Sequence, residues 1–182
     1  MNIKDALSLI QDAPIDRHSS TPSTWADLGC GSGVFTLALA QLLSAGSTIY
    51  GIDTKPGLQR QTTPGGVTLL PLNKDFEKDD LTPYDLDGIL MANSLHYIKD
   101  KPALLRRLQK NIRPNTPFLI VEYDTDQPAP TRVPYPLSFS SLQHLFHSVG
   151  YQNIKKIGDR PSVYGRANIC AAFIMNADPS VK

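Results

Sequence analysis

Asp27-Leu28-Gly29-Cys30-Gly31-Ser32-Gly33 decides how this chain is read. The run continues a short stretch of strand character, Thr24 to Leu28. It leads straight into Phe35, Ala38, Leu39, Leu42 and Leu43, spaced i, i+3, i+4, i+7 and i+8 as on one face of a helix. Gly46 predicts the end of that helix. Glycines between a strand and a helix permit a sharp turn and let a ligand approach the backbone closely. The helix start near Gly33 offers unpaired N–H groups to a polar ligand. Twenty residues beyond Gly33, after the predicted strand Thr48–Ile52, stands Asp53. A carboxylate at that place can accept both hydroxyl hydrogens of a ribose, so the pair points to a ligand containing a nucleoside.

The glycine spacing narrows the choice. A dinucleotide fingerprint runs G-x-G-x-x-G. Counted from Gly29, its third glycine falls on Val34, and the spacing here is G-x-G-x-G. A phosphate loop of the G-x-x-x-x-G-K-[ST] kind is absent.

An acidic residue before G-x-G-x-G, then a strand closed by an Asp, resembles the class I S-adenosylmethionine-dependent methyltransferases, roughly from Trp25 to Met175. The resemblance implies a Rossmann-like α/β fold. Its seven-stranded, mostly parallel sheet has an antiparallel C-terminal strand and helices on both faces. It implies S-adenosyl-L-methionine as cofactor and S-adenosyl-L-homocysteine as product. Gly29, Cys30, Gly31 and Gly33 would lie under the methionine and ribose, with Cys30 as a small residue that fits there. Asp27 would help hold the amino acid end and Asp53 the ribose hydroxyls. Asp75 and Phe76, after the third strand, would read the adenine by a carboxylate on its amino group and an apolar wall. Asn93 and Ser94, opening Asn93-Ser94-Leu95-His96 after the fourth strand, would lie beside the sulfonium methyl.

Outside the glycine loop, Ile3, Ala6, Leu7 and Ile10 form one apolar stripe, stopped by Pro14, and Ile15–Ser23 reads as a linker. Lys55–Gln61 reads as a short helix before Pro64-Gly65-Gly66. Strands are expected at Val67–Leu72, Leu86–Ala92, Pro117–Tyr123, Tyr151–Ile157 and Asn168–Met175. Asp100 can cap a helix that buries Leu104, Leu105, Leu108 and Ile112 and turns Arg106, Arg107 and Lys110 outward. Asp124–Leu137 holds four prolines and reads as a stiff loop before a helix marked by Leu142, Leu145, Phe146 and Val149. The expected organisation is one methyltransferase domain over 1–182: an N-terminal helix and linker (1–23), a Rossmann-like core (24–176) and a tail (177–182).

The chain has 182 residues, Lys+Arg 18 against Asp+Glu 17 and 41% hydrophobic residues, the make-up of a folded globular chain. Net charge +1 gives no basic balance of the kind that draws a protein to nucleic acid. No apolar run reaches the ~20 residues of a membrane span, and the N-terminal stretch lacks the pattern of a secretory signal. Two cysteines make neither a disulfide scaffold nor a cysteine zinc site, so a reducing cytoplasm is the expected compartment.

For the acceptor, Asn93-Ser94-Leu95-His96 is not the [DN]-P-P-[YF] that resembles amino-methylating nucleic acid enzymes, and no carboxylate set suits a catalytic Mg²⁺. A small molecule is the favoured acceptor, walled by Tyr97, Tyr123 and Tyr135. An open site would instead take a protein or RNA surface. His96 is a weak candidate for a general base. Arg160, Tyr164 and Arg166 read as solvated turn residues, and His144 and His147 as surface histidines. The alternative function is a non-catalytic, methyltransferase-like subunit that binds a nucleoside or serves as scaffold.

Overall fold

The computed structural model describes residues 1–81, 85–110, 112–113, 115–162 and 167–176. Tyr164, Arg166 and the 177–182 tail lie outside the described residues. The elements in chain order are α1 (Ile3–Ile10), β1 (Thr24–Leu28), α2 (Val34–Leu39), β2 (Thr48–Asp53), β3 (Gln61–Thr62), β4 (Thr68–Asn73), β5 (Gly88–Ala92), α3 (Lys101–Gln109), β6 (Phe118–Tyr123), α4 (Phe139–Ser148), β7 (Asn153–Pro161) and β8 (Asn168–Met175). A single 3₁₀ turn, Leu95–Tyr97, follows β5.

The strands form one sheet in the order β3-β4-β2-β1-β5-β6-β8-β7. From β4 to β6 all pairs are parallel, while β8 runs antiparallel to both β6 and β7. Seven of these strands match the expected sheet. The eighth, β3, is a two-residue edge antiparallel to β4, with both residues exposed. No helix among the described residues is long and apolar enough to cross a membrane.

Alternation along the central strands feeds two separate cores, as a sheet covered on both faces requires. Leu90, Leu119 and Val121 point to the side of α1 and α2. Ile89, Met91, Phe118 and Ile120 point to the side of α3 and α4. On that second face Phe118, Phe146 and Tyr151 meet edge-on, with ring centroids 5.4–5.5 Å apart. The cap expected at Asp100 forms, its Oδ1 accepting from the Ala103 amide at 3.0 Å, and Ser138 Oγ caps α4 by accepting from the Ser141 amide at 3.2 Å.

Two expected helices come out differently. Lys55–Gln61 forms none, because Leu58 turns inward, 5% exposed, and fills the space beside Gly33 and Gly51. The helix after the glycine loop ends at Leu39. The next residues tighten into i,i+3 bonds, Gln41 to Ala38 and Leu42 to Leu39.

α1 packs against α2 and β7. At the β7 irregularity between Lys156 and Gly158 the helix backbone comes so close that a Cβ on Gly158 would sit 2.1 Å from the Leu9 carbonyl oxygen. Arg160 adds an ion pair to Asp5 at 2.9 Å. Gly158→Ala is therefore expected to lower stability by about 1–3 kcal/mol through overpacking. A urea unfolding midpoint equal to wild type would mean that α1 is not seated this tightly.

Candidate functional site

At the carboxyl ends of β1, β2 and β5 the glycine loop forms the floor of a cleft, the place where open α/β sheets take ligands. Gly29, Gly31 and Gly33 all have positive φ, 82°, 51° and 82°. The Gly29 and Cys30 amides donate to the Ile52 carbonyl at 2.7 and 3.2 Å, which ties the loop to β2. The three glycines differ in what surrounds them. A Cβ on Gly29 would strike Ser94 Cβ at 2.5 Å, and one on Gly33 would strike Leu58 Cδ1 at 2.5 Å. One on Gly31 would meet nothing within 4 Å. Gly29 and Gly33 thus serve packing within the protein, whereas Gly31 faces open space.

The cleft has two lobes that share Gly29, Asp53, Asn93 and Tyr97. The first, of about 400 Å³, is lined by the glycine loop and Asp27, with Val34, Phe35, Ala92 and Met1 as its apolar part. The second, of about 320 Å³, adds Asp75, Phe76, Ser94 and Ile98.

Asp27 is 1% exposed. Its Oδ2 accepts from the Thr36 hydroxyl at 2.6 Å, while its Oδ1 is buried with no hydrogen-bond partner. Burial pushes its carboxyl up to about 7; the Thr36 bond pulls it down and the Asp53 charge pushes it further up. Asn93 holds φ +55°, the described non-glycine residue in the left-handed region, and its Oδ1 is also buried without a partner. Its amide donates to the Val121 carbonyl at 2.8 Å, which fixes the turn out of β5. Ser94 lies under Gly29 and donates to the Leu28 carbonyl at 2.6 Å, joining the β5 turn to β1. Two buried acceptors without donors in one cleft are sites for donors from a ligand.

Asp53 is half-buried and lines both lobes. The Gly31 amide donates to its Oδ2 at 3.0 Å and the Lys55 amide to its Oδ1 at 2.9 Å, which aims the carboxylate across the loop. Asp75 and Phe76 line the second lobe beside it. The Asp75 carboxylate also takes the Glu77 amide at 3.0 Å and the Lys78 ammonium at 2.7 Å, and that Lys78 bond first of all holds its carboxyl below the usual range. Arg107, expected to point outward, instead donates to the carbonyls of Phe76 and Asp79 and holds this segment from α3.

Burial pushes the Cys30 thiol up to about 12, with the charges of Asp27 and Asp53 adding to it. Cys170 is likewise pushed up to about 12, again first by burial. Neither is a poised nucleophile.

The acceptor side is built on the 3₁₀ turn. His96 is 2% exposed and does not line the cleft. Its Nδ1 lies 2.6 Å from Glu122 Oε2, and its backbone amide donates to Glu122 Oε1 at 3.1 Å. Tyr97, 56% exposed, reaches both lobes, with its ring centroid 4.3 Å from that of His96. Tyr123 stands on the far side, 6.2 Å from the His96 ring, and Tyr135 is held nearby: its amide donates to the His96 carbonyl at 3.0 Å. Lys101 Nζ donates to the carbonyls of Ile98 and Tyr135 at 2.8 and 2.7 Å, fastening the proline-rich loop to the turn. Tyr97 thus lines the cleft as expected, whereas Tyr123 and Tyr135, expected to wall the acceptor, line neither lobe.

His144 and His147 bond carbonyls of their own helix region, and no metal-binding cluster occurs among the described residues. Thr36, Arg107 and Lys101 belong to the site through contacts between distant segments, for which no sequence spacing gives a signal.

Several solved structures share the fold. The plantazolicin methyltransferase BpumL in complex with SAH is 16% identical over 96% of this chain and 84% of that chain, TM-score 0.62. The Burkholderia thailandensis 1,6-didemethyltoxoflavin-N1-methyltransferase with bound 1,6-didemethyltoxoflavin and S-adenosylhomocysteine is 17% identical over 97% and 78%, TM-score 0.64. A Leishmania major SAM-dependent methyltransferase is 17% identical over 94% and 70%, TM-score 0.68. No curated protein sequence matches the chain. The family model described as "Methyltransferase domain" matches residues 4–173, nearly the whole length, and the chain belongs to that family.

Proposed function

We propose that the protein is an S-adenosylmethionine-dependent methyltransferase acting on a small-molecule acceptor, with residues 1–182 as one domain. The observation that carries this reading is the pair of orphaned buried acceptors, Asp27 Oδ1 and Asn93 Oδ1, flanking the open space above Gly31. A ligand with an ammonium group beside a ribose fits that arrangement: the ammonium supplies the missing donors and the ribose hydroxyls meet Asp53. Phe76 and Ile98 offer the second lobe an apolar wall for an adenine, with Asp75 at its edge.

When bound, S-adenosylmethionine supplies a methyl group already activated on a sulfonium. The protein's work is to orient the acceptor and exclude water. Asp27 and Asn93 hold the amino acid end, and Asp53 fixes the ribose. Tyr97, which lines both lobes, would stand beside the acceptor. His96, locked to Glu122 behind Tyr97, acts as a positioning residue for the turn. The two free, buried cysteines suit a reducing compartment, in keeping with the cytoplasm. Natural-product and toxoflavin methyltransferases among the structural neighbours support a small acceptor.

Calorimetry with S-adenosylhomocysteine tests the reading. Wild type is expected to bind it, and Asp53→Ala to weaken binding by about 1–3 kcal/mol through lost charge-assisted hydrogen bonds. Equal binding by the variant would remove Asp53 from the site. Tight binding without turnover across a broad acceptor panel would favour a nucleoside-binding subunit instead.

A further inference from the structure

We propose that the acceptor is an aromatic molecule without an anionic group that stacks on Tyr97 in the cleft, an inference that rests on reading the cleft as an S-adenosylmethionine site. Single exposed apolar side chains are ordinary on a protein surface, and their grouping is what carries meaning. Among the described residues the large exposed apolar side chains are Met1, Ile3, Tyr97 and Tyr135, with exposures of 51%, 37%, 56% and 40%. Met1 and Tyr97 line the same lobe. Tyr135 is tied by its amide to the residue next to Tyr97, and Ile3 opens the helix just after Met1. Met1 and Tyr97 are thus drawn from distant segments to one lobe of the cleft, with Tyr135 bonded to the residue next to Tyr97.

The chemistry of the cleft disfavours an anionic head group on the acceptor, since Asp27, Asp53, Asp75 and Glu77 line it. Among the described residues no Lys or Arg side chain lines either lobe, so a carboxylate or phosphate would meet no counter-ion from them there. The polar groups of the first lobe, Asp27 and Asn93, would be taken up by the amino acid part of the cofactor.

Tyr97 is also preorganised in a way an exposed tyrosine rarely is. It ends the 3₁₀ turn, its ring leans on the buried His96 imidazole, and Glu122 pins that residue by ring and by amide. A ring held before the ligand arrives loses little freedom on binding, which favours a flat partner able to use its face.

Three probes on the same bicyclic carbon frame separate the contributions: 2-naphthol, its saturated counterpart decahydro-2-naphthol, and 2-naphthoate. Each is titrated into the full chain at saturating S-adenosylhomocysteine, so that any change in cofactor affinity drops out. The expected order is 2-naphthol tighter than either other probe by about tenfold. Tyr97→Ala is expected to lose that advantage and Tyr97→Phe to keep it; a thermal melt confirms that both variants fold. Equal affinity for the saturated alcohol, or tighter binding of the naphthoate, would overturn the proposal. If S-adenosylhomocysteine itself gives no heat, the cofactor reading falls. The same three titrations into the free protein then still decide whether Tyr97 stacks aromatic rings.

Discussion

Gly31→Val is expected to fold and yet to lose S-adenosylhomocysteine affinity by more than about a hundredfold. A Cβ there meets no protein atom, so the branched side chain enters the open cleft instead of the core. The φ of +51° strains a β-branched residue by about 1–2 kcal/mol, which lowers the melting temperature by only about 2–8 °C in a chain of this size. The methyl groups then occupy the space between Asp27, Asn93 and Asp53. Gly29→Val and Gly33→Val are expected to behave differently, because their Cβ atoms collide with Ser94 and Leu58 and the fold itself suffers. Circular dichroism and calorimetry on the three variants separate the roles. Wild-type affinity in Gly31→Val would place the ligand elsewhere.

Asp27 gives the second large effect, and its sign differs between stability and binding. Its carboxyl is pushed up to about 7 in the folded chain, against the ordinary 3.8 when unfolded. Between those values the folded state holds a proton that the unfolded state has released. Stability is therefore greatest at the acid end of the window and falls as pH rises from about 4 to 7, by about 4 kcal/mol if nothing else titrates. Ligand affinity runs the other way. An ammonium needs Asp27 ionised, so binding of S-adenosylhomocysteine should strengthen about tenfold per pH unit up to about 7 and then level, with proton release on binding below that pH. Asp27→Asn removes the desolvated charge: at pH 8 it should melt higher than wild type without ligand, bind far more weakly, and show no such slope. A pH-independent affinity in wild type would take Asp27 out of the ammonium site.

What the sequence disclosed, and what it hid, follows from the range of the interactions. Gly29, Gly31 and Gly33 were readable because a run of positive φ admits few other residues, and Asp53 because a strand of fixed length carries it to the same sheet edge. The mostly parallel character of the sheet was readable because strands alternate with helices that cover both faces. The helix expected at Lys55–Gln61 does not form: one apolar residue in a polar stretch, Leu58, does not reveal that it will plug the gap beside Gly33 and Gly51. The edge strand at Gln61–Thr62 is too short to carry a pattern. Local spacing also could not tell that Gly31 faces open space while its neighbours touch Ser94 and Leu58. Nor could it show that Glu122 would clasp His96 across two strands, or that Arg107 would turn back to hold Phe76.

The two thiols have a practical consequence. At neutral pH a sulfhydryl whose ionisation lies near 12 exists as thiolate about once in a hundred thousand molecules, and both cysteines are enclosed. Maleimides and mild peroxides therefore find almost nothing to attack. A cysteine engineered onto an exposed loop would take a dye selectively on this otherwise silent background.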